Sequence, residues 1–357
     1  AWDAWMNWSP KAVVWFHWNE LTQYVDPAQW LVQPPGAHHY ALGNYHASLY
    51  PPTVPLIILW GMLATGTADS TFIYLPWIIA PFSLGLSMYG HLRLAGISAV
   101  LASIACYMLL GLPYINTHTA LAGYADLWLA ASFGLSIFCL YEWQENRSKR
   151  YALLCLFYAA MCSQLKNPGI VLCLVILAVF LRTLLNLSSR AELIALLTLI
   201  FGTTVLVSIG LSMEIPVLGH FSVNTDGISL PILGQFTFEY HPVSGAFIRA
   251  LFDMTSWGLL WYLLLPLILI KIFRKQLFVI PSSVLLAILL NLVFVVFVFH
   301  FTGRYWEAEQ FTTLNRAILY SVPGLMFYLF LGLKNPDQPN FSPSRNHSEI
   351  PAPKQGT

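Results

Sequence analysis

A polytopic, all-α integral membrane protein is the fold class this sequence predicts, on three observations. The 357 residues are 57% hydrophobic and only 9% charged, with a mean hydropathy of +0.64, whereas soluble domains carry about 25% charged residues. The apolar residues are gathered into runs of spanning length. The basic residues divide unequally between alternate loops. The same figures exclude other classes. An aromatic content of 15% is foreign to disordered chains. Lys+Arg 17 against Asp+Glu 16, a net charge of +1, leaves no basic field to hold nucleic acid.

A spanning helix needs about 20 mostly apolar residues, and the runs that approach this are 70–90, 94–112, 127–141, 151–165, 169–186, 191–213, 255–272, 277–300 and 316–333. This gives about nine spanning helices. The opening residues read as a loop, so a further leading helix is expected upstream of Ala1. The apolar run 53–68 follows Tyr50-Pro51-Pro52 and is marginal in length. If it stays on one side, one face of the membrane receives Arg93, Arg147, Lys149, Arg150, Arg182, Arg190, Lys271, Arg274, Lys275, Lys334, Arg345 and Lys354. The other face keeps Lys11, Lys166, Arg249, Arg304 and Arg316. That is twelve against five. If 53–68 crossed, every later loop would flip. The positive-inside rule therefore makes 53–68 an interfacial or re-entrant helix and sets the basic face in the cytoplasm.

Residues 1–334 thus form one membrane domain, in which 1–69 is an extracytoplasmic loop carrying interfacial helices. The Pro-, Ser- and Asn-rich 335–357 reads as a disordered cytoplasmic tail. The outer face also receives 113–126, 165–168, the polar stretch 214–254 and 301–315. Seven of the ten histidines lie there (His17, His38, His39, His46, His118, His220 and His241). Any chemistry is expected on that face. The five cysteines lie in or beside apolar runs without metal-ligand spacing and read as small buried residues.

Candidate residues follow in chain order. Asp3 stands among Trp2, Trp5 and Trp8. The tryptophans suit an interfacial belt, while a carboxylate desolvated among them suits a general base. Lys11 closes the same stretch. His39 and His46 read either as ordinary polar loop histidines or, with Tyr50, as sugar contacts. They could hold a metal only with a carboxylate, and their spacing is not a zinc signature, so a divalent metal is not favoured and no cofactor is assigned. Tyr124 precedes Asp126, which stands at a helix start. There it either caps free backbone donors or orients a substrate. Lys166 lies between two helices and suits a headgroup or a held phosphate. Arg304 and Arg316 flank Tyr305–Glu309, as a surface ion pair or as forks for a lipid phosphate.

In order and spacing, Trp2-Asp3-Ala4-Trp5 with Pro10-Lys11-Ala12, Tyr50-Pro51-Pro52-Thr53-Val54-Pro55-Leu56, Gly123-Tyr124-Ala125-Asp126-Leu127, Lys166-Asn167-Pro168-Gly169 and Asn315-Arg316-Ala317-Ile318-Leu319 with Pro323 resemble the bacterial membrane glycosyltransferases of the C type (GT-C fold). These are distantly related to protein O-mannosyltransferases and the lipid A aminoarabinose transferase. The resemblance implies an enzyme of the inner membrane that transfers a sugar, with inversion, from a polyprenyl-phosphate donor to a glycan, lipid or protein acceptor on the extracytoplasmic face. By position it makes Asp3 the base and Asp126 the second acid. Lys166, Arg304 and Arg316 become candidates for the donor phosphate, and Lys11, His39, His46, Tyr50 and Tyr124 for substrate contacts. Two departures stand out. Pro168 occupies a place where relatives often carry Glu, and Asn7 one where many carry a second acid, which speaks against a carboxylate-bound metal. The alternatives from other classes are a secondary transporter or lipid flippase, which would place ionisable residues mid-helix, and a non-catalytic assembly subunit.

Overall fold

A computed structural model describes residues 3–34, 36–41, 50–186, 189–216, 219–231, 234–273 and 282–334. The chain opens with a π-helical turn, Ala4–Trp8, that runs into α1 (Ser9–Trp18). Then come β1 (Gln23–Tyr24), α2 (Pro27–Leu31) and β2 (His39–Tyr40), with β1 and β2 paired in parallel. After α3 (Thr53–Thr65) the bundle is built from α4 (Pro76–Leu94), α5 (Ala99–Leu110), α6 (Pro113–Ala120), α7 (Asp126–Asn146), α8 (Lys149–Leu165), α9 (Pro168–Leu185) and α10 (Ser189–Ile209). Four strands follow: β3 (Leu211–Ile215), β4 (Gly219–Asn224), β5 (Gly227–Leu230) and β6 (Gly234–Thr237). The chain returns to helix with α11 (Ser244–Ile248), α12 (Leu260–Phe273), α13 (Ser282–Phe301), α14 (Tyr305–Glu309) and α15 (Leu314–Leu331).

Among the described residues, four helices are long and apolar enough to cross a membrane: Thr71–Leu94, Pro168–Leu185, Ser283–Phe301 and Leu314–Leu331. The bent pair Ala99–Leu110 and Pro113–Ala120 makes up to five. The expected nine are not reached. Of the helices outside that set, α7 has 21 residues and is buried along its length from Asp126 to Trp143. It packs against α4, α8, α9, α13 and α15. A helix sheathed by other helices need not match lipid, so it can carry Ser132, Ser136 and Glu142 where a lipid-facing helix could not. The 13-residue α3 is roughly 20 Å long at 1.5 Å per residue. That is short of the ~30 Å hydrocarbon thickness.

The all-helix expectation needs one correction. Part of the stretch read as polar loop is a four-stranded antiparallel sheet, in the order β3-β4-β5-β6. Its central turn is set locally: the Asn224 side-chain oxygen accepts from the backbone N–H groups of Asp226 and Gly227, each at 3.0 Å, which is the Asx device that makes Asn-x-Asp-Gly a turn. Strands of four to six residues with one mostly exposed face leave too weak an alternation to read beforehand.

Two polar contacts and one steric fit hold α7 and α15 in place. Ser136 donates to the Cys155 carbonyl at 2.9 Å, and Asn291 of α13 donates to Ser321 of α15 at 2.7 Å. At the crossing of α7 and α15, a Cβ on Gly134 would lie 2.6 Å from Pro323, and one on Gly324 2.6 Å from Ile137. Small residues here let the two helices approach closely, as in membrane bundles generally. That approach brings the start of α15 beside the start of α7.

The ends of the bundle are chemically distinct. One gathers His91 and Glu142, 3.7 Å apart, and Arg147, which donates to the Thr183 carbonyl at 3.4 Å. The other gathers residues from 3–11, Tyr50, 114–126, Lys166 and Arg316. The tail 335–357 and residues 274–281 lie outside the described residues.

Candidate functional site

Asp126, the first residue of α7, is the centre of the second grouping and is fully buried. Its Oδ1 accepts from Lys166 Nζ at 2.8 Å and from the Tyr320 hydroxyl at 2.5 Å. Its Oδ2 faces Arg316 Nη1 at 3.8 Å and takes no hydrogen bond. Nor does the side chain cap its own helix. The capping alternative therefore fails: the carboxylate is spent on two cations and a phenol.

Arg316 links this buried acid to the N-terminal segment. The same Nη1 that faces Asp126 donates to Asp3 Oδ2, and Asn7 donates to Asp3 Oδ1 at 3.4 Å. The guanidinium lies 4.9 Å from the centre of the Tyr124 ring, within cation–π range, and its charge acts on the Tyr114 phenol. The four side chains differ in exposure, with Asp126 and Arg316 as the extremes. The side chains of Asp126 and Lys166 are 1% and 8% exposed, whereas those of Arg316 and Asp3 are 19% and 10% exposed. Arg316 is the most exposed of the four, and Asp3 and Lys166 are alike in burial.

Lys166 sits between α8 and α9. Burial alone would push its ammonium down, but the opposing charges, above all the Asp126 carboxylate, hold it above its ordinary value. Lys11 is buried too and donates to the Tyr50 carbonyl at 3.4 Å. The Tyr50 ring stacks on Trp8 at 4.9 Å, and its phenol acts on the charge of Lys166. Lys11, Tyr50 and Tyr124 thus line the cluster. Arg304 does not join it: nearly half exposed, it pairs at 2.6 Å with Glu307 of its own helix, the surface-pair alternative. His39 lies in β2, half-buried, in register with Gln23. His46 lies outside the described residues.

Three members were not singled out in the sequence. Tyr320 stands four residues after Arg316, hence on the same helix face, and a phenol in that register within an apolar helix was a readable signal. Tyr114 is one aromatic among many and gave none. Buried His118 donates or accepts through Nδ1 at the Tyr114 carbonyl, 3.0 Å away, while its Nε2 has no partner. Among the described residues, no three His, Cys, Asp or Glu side chains converge as a metal ligand set.

Local sequence explains how the N-terminal segment reaches Arg316. Gly123 has φ +98, and a Cβ there would lie 2.5 Å from the Ala4 Cβ. A side chain is disfavoured at this position both by the backbone and by the contact that seats Ala4, next to Asp3, on the loop before α7. Trp77 Nε1 donates to the Tyr124 carbonyl at 2.7 Å and pins the same loop. Gly123→Ala is therefore expected to lift the Asp3 segment. Destabilisation of about 1–3 kcal/mol and faster proteolysis near the N-terminus should accompany it, while an unchanged melting temperature would show that the contact carries no weight.

Lys11 provides a pH-dependent marker of the same packing. Burial lowers its pKa to about 8, against about 10.4 in an unfolded chain. Between these values the unfolded chain holds a proton that the folded one has released, so stability rises with pH through this window. Below pH 8 the full cost of burying the charge remains. Thermal unfolding from pH 7 to 10.5 should show this gain in the wild type and its loss in Lys11→Met. Parallel profiles would mean that Lys11 is solvated.

Beside the cluster an apolar groove of about 410 Å³ is lined by Thr53, Leu56, Ile57 and Trp60 of α3, Pro76 of α4 and Trp128 of α7. Trp128 lies two residues beyond Asp126, and Trp77 packs edge-on against it. Comparison of the chain with protein-family models, with curated proteins and with solved structures gives no match.

Proposed function

We propose that this protein is a membrane glycosyltransferase, resembling the C-type enzymes, that moves a sugar from a prenyl-phosphate carrier to an acceptor hydroxyl on the extracytoplasmic face of the inner membrane. The observation that carries the reading is the meeting of two carboxylates and two cations from four separate chain segments, with Arg316 the most exposed of the four. All four stand at helix ends, not mid-helix where a transport pathway would place them: Asp126 begins α7, Lys166 lies between helices, and Arg316 is the third residue of α15.

In the proposed reaction the acceptor oxygen forms a bond to the anomeric carbon and the bond from that carbon to the phosphate oxygen breaks. Its electron pair stays on the prenyl phosphate, and the acceptor proton passes to the Asp3 carboxylate. The carrier changes from a phosphodiester with one negative charge to a monoester with more. A guanidinium at the phosphate thus stabilises the transition state more than the ground state. Arg316 supplies that charge. Asp126, sealed below, fixes Arg316 and Lys166 in place, and the groove beside Trp128 offers apolar surface for a prenyl chain.

The test is transfer from a radiolabelled prenyl-phosphate sugar by the purified protein in detergent. Arg316→Lys keeps the charge but loses the planar fork, and is expected to lower transfer efficiency by about 1–3 kcal/mol, roughly tenfold or more. No transfer or donor breakdown by the folded wild type with any prenyl-phosphate sugar would remove the reading.

A further inference from the structure

The proposed chemistry asks two things of one guanidinium. Arg316 must hold a phosphate, yet in the folded protein it is bonded to Asp3, the group that must be free to accept a proton. We infer that the donor phosphate and Asp3 exchange places on Arg316, so that the base is released only when donor is bound. This inference rests on the glycosyl-transfer reading and adds an order of events to it.

The two carboxylates at Arg316 are held very differently. Asp126 is anchored through Oδ1 by Lys166 and Tyr320 and is sealed from solvent. Asp3 has Arg316 and, at 3.4 Å, Asn7. Of the two, only Asp3 can leave without stranding a second buried charge. Its partner Arg316 is the most exposed member of the cluster, and an arriving anion would make contact there.

Charge balance requires the exchange. Asp3 and Asp126 offset Lys166 and Arg316, so an added phosphodiester would bring a third anion to two cations, with Lys11 near by and partly neutral at pH 8. Uncompensated charge at this depth is costly. Moving Asp3 from the guanidinium to the acceptor hydroxyl keeps one anion on Arg316 and places the carboxylate where the proton is to be taken.

The local backbone offers a way to move. Asp3 directly precedes the π-helical turn Ala4–Trp8, closed by the Ser9 N–H donating to the Ala4 carbonyl. Such turns hold one residue more than an α-helical turn and occur at functional sites. Tightening to α-geometry rotates the preceding residue about the helix axis without unfolding α1. Asp3 would swing away from Arg316 by this route.

The experiment uses the full chain in detergent, with farnesyl phosphate as probe and binding followed by calorimetry. Asp3→Asn replaces the competing charge with a neutral amide, a weaker partner for Arg316, and is expected to bind the probe roughly tenfold more tightly, the scale of one charge-assisted bond. Arg316→Ala is expected to bind at least tenfold more weakly. A second readout is independent of affinity: carbodiimide-driven amine labelling of wild-type Asp3, read by peptide mass spectrometry, should increase when farnesyl phosphate is added. Asp3→Asn binding that is unchanged or weaker, or an Asp3 that becomes better protected on adding the probe, would overturn the exchange while leaving the donor reading intact. Failure of both wild type and Asp3→Asn, each folded by thermal unfolding, to bind the probe would overturn the exchange and the donor reading together.

Discussion

Asp126→Ala is expected to be the most destabilising single substitution in the molecule, by about 3–5 kcal/mol, the usual cost of breaking a buried ion pair from one side. The carboxylate is fully buried and holds Lys166 at 2.8 Å and the Tyr320 hydroxyl at 2.5 Å. Its loss leaves the Lys166 ammonium buried without its nearest counter-charge and frees Arg316 from one of its two acids. A capping role would cost only ~1 kcal/mol, so the magnitude separates the two explanations. Lys166→Met alone should also be costly, whereas Asp126→Leu combined with Lys166→Met should recover much of the loss, because neither charge is then left alone. The double-mutant cycle would show strong coupling. Thermal unfolding in detergent, with helix content checked by circular dichroism, is the measurement. An Asp126→Ala protein within 1 kcal/mol of wild type would mean that the ion pair does not hold the site.

The sequence made some of this legible, and the reasons differ by element. The helical membrane character followed from composition, because sparse charge and long apolar runs can only be buried in a bundle or in lipid. Asp3, Asp126, Lys166 and Arg316 stood out for the same reason: a charge beside an apolar run is expensive and needs a partner. Their pairing was not legible, since Asp3 and Arg316 are 313 residues apart and meet only because Ala4 seats on Gly123 and α15 crosses α7. Arg304 had the same local signal as Arg316 but finds Glu307 one turn away. Position along a helix, not residue type, divides the two. Four to five of the expected nine spans stand out by length and apolarity among the described residues, while α7 is surrounded by protein. The sheet β3–β6 was missed because short, largely exposed strands carry little alternation, although its Asn-x-Asp-Gly turn was in view.

Asp3→Asn is expected to abolish most transfer while leaving the protein folded and able to bind donor. Asparagine matches aspartate in size and its side-chain oxygen can still accept from Arg316, so the N-terminal segment keeps its seat through Asn7, through Ala4 against Gly123, and through Trp8 against Tyr50. What it lacks is a carboxylate to accept a proton. Loss of a general base typically costs about 10²–10⁴-fold in turnover, far more than the roughly tenfold expected for Arg316→Lys. The two substitutions should also differ in kind. Arg316→Lys acts at the phosphate and should change donor affinity and turnover together. On the proposed reading Asp3→Asn acts at the acceptor proton and should lower turnover with donor binding tightened. Asp3→Glu retains a carboxylate but displaces it by about one methylene, and a misplaced base loses part of the advantage of alignment; partial activity is expected. The assay is transfer from a prenyl-phosphate sugar at saturating donor, with folding followed by thermal unfolding. A folded Asp3→Asn protein with near-full transfer would take Asp3 out of the chemistry and leave it a tether for Arg316.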